Sequence, residues 1–152
     1  MKNYRVPTLT IAGSDSSGGA GIQADLKTFS AIGTYGMSVI TAITAQNTEG
    51  VFDVEELSSE IIKSQIKAVC EDIPPKAIKI GMVSSPKIIK DIVESLEIYP
   101  CEYVVVDPVM ISKSGYSLLR PEAKENLIKY LIPKAYIVTP NVPEAEEISS
   151  IK

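Results

Sequence analysis

Short apolar runs alternate along the chain with longer segments whose apolar residues recur every three or four positions. The runs are rich in β-branched residues and fall at 8–13 (TLTIAG), 38–45 (SVITAITA), 77–83 (AIKIGMV), 103–108 (YVVVDP) and 135–140 (AYIVTP). Each is bounded by glycine, proline or small polar residues, the signature of strands. Helical periodicity occupies 21–33, 56–71, 86–97 and 121–131, the last opening on Pro121 and stopping before Pro133. Strands that read as apolar on both faces and alternate with helices predict a mainly parallel sheet covered on each side, an α/β doubly wound fold. The stretch EDIPPK at 71–76 is long enough only to turn from helix to strand, so residues 1–152 read as a single domain. After the fifth run, NVPEAEEISSIK opens another helix with Asn141 at its cap and glutamates in its first turn. A crossover helix that delivers no further strand makes the sheet read as C-terminally incomplete.

In an open α/β sheet, ligands bind beyond the carboxyl ends of the strands, and the unusual residues of this chain fall at those ends. The stretch AGSDSSGGAG at 12–21 joins the first strand to the first helix. Its glycines let backbone approach a ligand at a helix N-terminus, and a tight strand-to-helix turn explains them equally well. It matches neither GxxxxGK[ST] nor GxGxxG. On the helix that follows, Asp25 projects within the apolar stripe Ile22, Leu26, Phe29 and Ile32. A carboxylate on a buried face needs partners, either loop amides or a ligand. Gln46 and Asn47 follow the second run; a side-chain amide donates and accepts, which suits an aminopyrimidine or pyridine edge, although an ordinary polar loop pair looks the same. Asp107, before Pro108, reads as an Asx turn or as a carboxylate holding Mg²⁺ through water. Lys113 reads as a solvated lysine or as a phosphate contact. Asn141 and Glu144 read as a capping box, or as a phosphate contact and an acid orienting a magnesium shell.

Charge and composition narrow the classes. Net charge is −4 with a pI near 4.9, and lysines and glutamates are interspersed, so no basic stripe points to nucleic acid or an anionic membrane. The chain has no histidine, and its two cysteines, Cys70 and Cys101, lie far apart. His-based triads and metal sites therefore drop out, leaving carboxylates, lysine, amides and backbone. The N-terminus lacks a signal-peptide apolar region and no run approaches about 18 apolar residues, so the expected location is cytoplasmic.

Taken in order, AGSDSSGGAGIQADLKTFSAIGTYG, TAITAQNT, KIGMV, VVVDPVMISKSG and VTPNVPEAEE resemble the bacterial hydroxymethylpyrimidine and phosphomethylpyrimidine kinases of thiamine biosynthesis, over about residues 8–148. The resemblance implies a ribokinase-like fold. It also implies ATP- and Mg²⁺-dependent phosphorylation of 4-amino-5-hydroxymethyl-2-methylpyrimidine and then of its monophosphate. By the same resemblance Ala20, Asp25, Gln46, Met82 and Val109 line the substrate site, with Gln46 reading the aminopyrimidine edge. Asp107, Lys113 and Asn141 serve the nucleotide phosphates, and Glu144 with Asp107 the metal. Family members continue into a Gly-Thr-Gly-Cys type segment that forms the anion hole and activates the substrate hydroxyl. No such segment occurs in these 152 residues, so no catalytic group is expected among them. Two rivals stand beside this reading: a pyridoxal or pyridoxine kinase, and a non-catalytic pyrimidine-binding fragment. An exposed last strand edge would invite a second copy and a homo-oligomer.

Overall fold

The apolar runs assemble into one sheet in a computed structural model that describes residues 5–110 and 121–151. In chain order the elements are β1 (Pro7–Asp15), α1 (Gly21–Ala31), β2 (Tyr35–Gln46), β3 (Val51–Glu56), α2 (Ser59–Asp72), β4 (Ala77–Ile80), α3 (Pro86–Ile98), β5 (Tyr103–Val106), α4 (Pro121–Asn126), β6 (Ile137–Val138) and α5 (Val142–Ser149). A π turn over Leu127–Leu131 and a 3-10 turn over Ile132–Lys134 continue α4. The strands lie in the order β3-β2-β1-β4-β5-β6, parallel throughout except for β3. From β1 the chain first winds outward to β2 and then crosses to β4 on the other side. The switch point therefore lies between β1 and β4, where ligands enter such sheets.

Period-two alternation assigns the two sheet faces. Leu9 and Ile11 of β1, Ile78 and Ile80 of β4, and Val104 and Val106 of β5 join Ile62, Ile66, Ile88, Ile89, Ile92, Leu127 and Leu131 in one buried core. The helices α2 and α3 are tied across their contact by Lys63, whose ammonium lies 2.8 Å from the buried Asp91 carboxylate, and by a Ser59–Asp91 hydrogen bond. Ser58 and Ser85 cap these two helices. On the other face polar residues intervene in β1 and β4, while β5 carries Val105. Thr8 shares a 2.9 Å hydrogen bond with Thr34, Thr10 bonds Asp25, and Lys79 reaches the same carboxylate. The expectation of strands apolar on both faces is thus corrected for β1 and β4, because the α1 side carries the site.

Other boundaries differ from the sequence expectation for local reasons. The strand β3 is a sixth strand, and its last residue, Glu56, reads from the sequence as the opening of a helix. Ser58 instead delays α2 to Ser59 by accepting from the Ile61 amide. The turn before β3 is built by Asn47, whose side-chain oxygen accepts from the Glu49 amide at 2.8 Å and the Gly50 amide at 3.3 Å. Ile32 belongs to no buried stripe: α1 ends at Ala31 and Ile32 is 68% exposed. Among the described residues no helix is long and apolar enough to cross a membrane.

Candidate functional site

A cavity of about 560 Å³ opens at the carboxyl ends of the strands, over the switch point between β1 and β4. Its wall is the turn from β1 to α1, built around a residue that sequence reasoning passed over. The Asp15 carboxylate accepts from the Ser17 amide (2.9 Å) and hydroxyl (2.8 Å) through one oxygen, and from the Gly19 (2.9 Å) and Ala20 (2.8 Å) amides through the other. Gln23 clamps the same turn from α1: its side-chain oxygen accepts from the Asp15 amide and its nitrogen donates to the Ser14 hydroxyl, both at 2.8 Å. Loop amides are thus satisfied by Asp15, not by Asp25. Burial raises the Asp15 pKa, but the Ser17 hydroxyl and the Ser17, Ala20 and Gly19 amides outweigh it, and the net shift is downward.

A depressed folded pKa contributes stability that is present above the unfolded value, about 3.9, and is lost as pH falls through the folded one. Asp15→Asn removes the charge and turns an NH₂ toward amide donors. It is expected to cost about 2 kcal/mol at pH 7, with the difference from wild type shrinking below about pH 4. Urea unfolding of both proteins at pH 7 and pH 3 checks it, and an undiminished difference at pH 3 would contradict the charge-based account.

The cavity floor is a charged cluster. The Lys79 ammonium lies 3.2 Å from an Asp25 oxygen and 3.5 Å from an Asp107 oxygen, and the Thr10 hydroxyl donates to Asp25 at 2.6 Å. Their side chains are 24% (Lys79), 17% (Asp25) and 36% (Asp107) exposed, so the cluster is partly shielded but open to the cavity. Burial raises the Asp107 pKa; Lys79 opposes this, and the Glu144 and Asp25 charges add to it. Lys79 is the second residue that sequence reasoning missed. A lysine between Ile78 and Ile80, mid-run in a strand, was the available signal, since a central strand rarely carries a charge without a partner.

The remaining expected residues distribute as follows. Ala20, Asp25, Gln46, Met82 and Val109 all line this one cavity, as do Asp107 and Lys79. Gln46 is anchored by its backbone: the Ser16 hydroxyl donates to its carbonyl at 2.7 Å and accepts from its amide at 2.9 Å. Met82 follows β4 and is held through its carbonyl by the Thr41 hydroxyl at 2.9 Å. Asn141 and Glu144 form the capping box at the start of α5, with reciprocal side-chain to backbone bonds of 2.9 Å. The second Glu144 oxygen accepts from the Met110 amide at 3.3 Å. Neither residue lines the cavity, although the Glu144 charge is felt at Asp107. Lys113 lies outside the described residues.

Comparison with known proteins bears on this geometry. The family model described as Phosphomethylpyrimidine kinase matches residues 15–152. The hydroxymethylpyrimidine/phosphomethylpyrimidine kinase of Bacillus subtilis is 52% identical over 143 residues, covering 94% of this chain and 53% of that protein. The crystal structure of a phosphomethylpyrimidine kinase from Clostridium difficile 630 superposes with a TM-score of 0.93 at 80% identity, covering 97% of this chain and 64% of that one. A Staphylococcus aureus pyridoxal kinase in complex with pyridoxal superposes with a TM-score of 0.86 at 44% identity, covering 97% and 53%. The chain spans about half the length of the curated relatives it matches.

Proposed function

Because the chain belongs to the phosphomethylpyrimidine kinase family, we propose that its cavity is the acceptor site for 4-amino-5-hydroxymethyl-2-methylpyrimidine and its monophosphate, phosphorylated with ATP in thiamine biosynthesis. The observation that carries this reading is the convergence of Ala20, Asp25, Gln46, Met82 and Val109, from four separate stretches of chain, on one cavity at the sheet's switch point. The roles follow from the chemistry of each group. The Asp15-braced turn offers a rigid backbone wall against a flat ring, Met82 and Val109 supply apolar contact, and Gln46 reads the ring edge. Asp25, held by Thr10 and Lys79, faces the hydroxymethyl group as a hydrogen-bond acceptor. The anion hole and the group that activates the hydroxyl are assigned to a segment that these 152 residues do not contain, so turnover is expected to require that segment.

For Mg²⁺, the donors at hand are the Asp107 and Glu144 carboxylates, oxygen ligands that suit a hard cation. No three acidic or cysteine side chains converge to cage an ion among the described residues. Both Glu144 oxygens already accept from amides, so the pair fits a hydrated ion held through water. Such an ion supplies positive charge against the transferring phosphoryl group. Asn141 and Lys113 complete the proposed phosphate side, and the protein is placed in the cytoplasm.

Calorimetric titration of the 152-residue chain with the hydroxymethylpyrimidine, in parallel with pyridoxine, tests the reading. Saturable pyrimidine binding at least about tenfold tighter than pyridoxine supports it, a difference of about 1.4 kcal/mol. The reverse order would favour the pyridoxal kinase reading, which the 44%-identical Staphylococcus aureus neighbour supports. Product formed with ATP and Mg²⁺ by this chain alone would overturn the assignment of the anion hole.

A further inference from the structure

Thr44 and Gln46 stand two residues apart on β2 and both line the cavity; Thr44 is only 4% exposed. The Thr44 hydroxyl oxygen lies 2.9 Å from the Ser14 carbonyl oxygen and 3.1 Å from Oε1 of the Gln46 side-chain amide. A hydroxyl carries one proton and two lone pairs, so it makes one full-strength donation, and the shorter contact, to the Ser14 carbonyl, has first claim on it. The Ser14 carbonyl can only accept, and it takes that proton. The Thr44 oxygen is then an acceptor, which an N–H of Gln46 would satisfy. A half-turn of the amide exchanges its oxygen and nitrogen without changing its shape, and would leave the amide oxygen and the second N–H available to a ligand. The position of Ser14 is itself pinned, because Gln23 bonds both its hydroxyl and the next amide.

We propose that Thr44 is a positioning residue for specificity: it locks the Gln46 amide with its oxygen toward the ligand, so the site selects a ring edge presenting an exocyclic N–H beside a ring nitrogen acceptor. The inference rests on the reading of this cavity as a pyrimidine site and adds what makes it choose an amino over an oxo ring. A 4-aminopyrimidine presents donor then acceptor along that edge. Its 4-oxo analogue, a ring lactam, presents acceptor then donor. An amide free to turn over pairs with either, whereas an amide whose nitrogen is committed to Thr44 pairs with the first alone.

The test measures the dissociation constants of 4-amino-5-hydroxymethyl-2-methylpyrimidine and its 4-oxo analogue for the wild-type chain, Thr44→Val and Thr44→Ser. Wild type is expected to favour the amino ring by about tenfold or more, one hydrogen bond's worth of discrimination. Thr44→Val should narrow the ratio to within about threefold by releasing the amide, and Thr44→Ser should restore it. A merely structural Thr44 would weaken both ligands together and leave the ratio intact, which would overturn the proposal. Equal binding of the two rings by wild type would overturn it alone, while binding of neither would overturn the pocket reading with it. A second measurement does not depend on the valine variant folding. In ligand-free wild-type chain labelled with ¹⁵N-glutamine, one Gln46 side-chain N–H should be protected from exchange with water and the other should not. Two equally exchanging protons would contradict the lock.

Discussion

Gly21→Ala is expected to lower the unfolding temperature by about 10 °C or more, the equivalent of about 4 kcal/mol in a domain of this size. Gly21 opens α1 with φ of +55°, and a Cβ there would sit well inside van der Waals contact with the Gly13 carbonyl oxygen and against the Asp15 amide. Neither obstacle is a flexible side-chain end. Gly13 lies in the central strand, at the irregularity between Ala12 and Ser14 where β1 and β2 shift register, and Asp15 braces the whole turn. Relief would have to move the strand end or the helix start, and with either the cavity wall. Gly33 is the internal control, with φ of +82° and nothing within 4 Å of an added Cβ. Gly33→Ala should cost only the left-handed backbone term, about 1 kcal/mol. Thermal and urea unfolding of both variants reads the difference, and equal losses would show that the crowding at Gly21 relaxes freely.

The next largest effect is expected at Lys79. Lys79→Met removes the cation facing both Asp25 and Asp107, leaving two carboxylates in a partly shielded cluster where, among the described residues, Thr10 is the neutral side-chain donor to Asp25. Breaking a fully buried pair costs about 3–5 kcal/mol and a surface pair less than about 1; with side chains 17–36% exposed, about 2 kcal/mol at neutral pH is expected here. The pH dependence identifies the cause. Burial already raises Asp107 against the opposing influence of Lys79, so without the lysine its folded pKa climbs further above the unfolded value. A group raised on folding contributes stability while protonated and loses it as pH rises through the folded pKa. The difference between wild type and variant should therefore be small near pH 4 and widen toward pH 8. Urea midpoints across that range measure it, and a difference that stays flat with pH would mean that Lys79 acts through packing alone.

Most of the architecture was legible because hydrophobic periodicity is a local property. Alternating β-branched runs and helical stripes implied a parallel sheet, and the same rule identified its carboxyl edge as the place to look. It failed at β3, where Val51–Glu56 alternates weakly and its acids suit an exposed antiparallel edge as well as a helix start. It failed again in treating β1 and β4 as apolar on both faces, since Thr10 and Lys79 point away from the core toward α1. At the site, the pattern marked Asp25 as a carboxylate in need of partners, and Gln46 as an amide at the right edge. The identity of those partners was not available to it. Lys79 is brought to Asp25 by the pairing of β4 beside β1, a neighbour relation set by the crossover and not by any spacing along the chain. Asp15, in the stretch AGSDSSGGAG and off any apolar stripe, carried no such mark, and only the turn's three-dimensional path gave the loop amides to it and the lysine to Asp25. Which elements form, and which edge carries the polar residues, is decided by local periodicity. Which charge meets which, and which atom of an amide faces a ligand, is decided by contacts between segments distant in sequence, where a few tenths of an ångström and a single proton separate the alternatives.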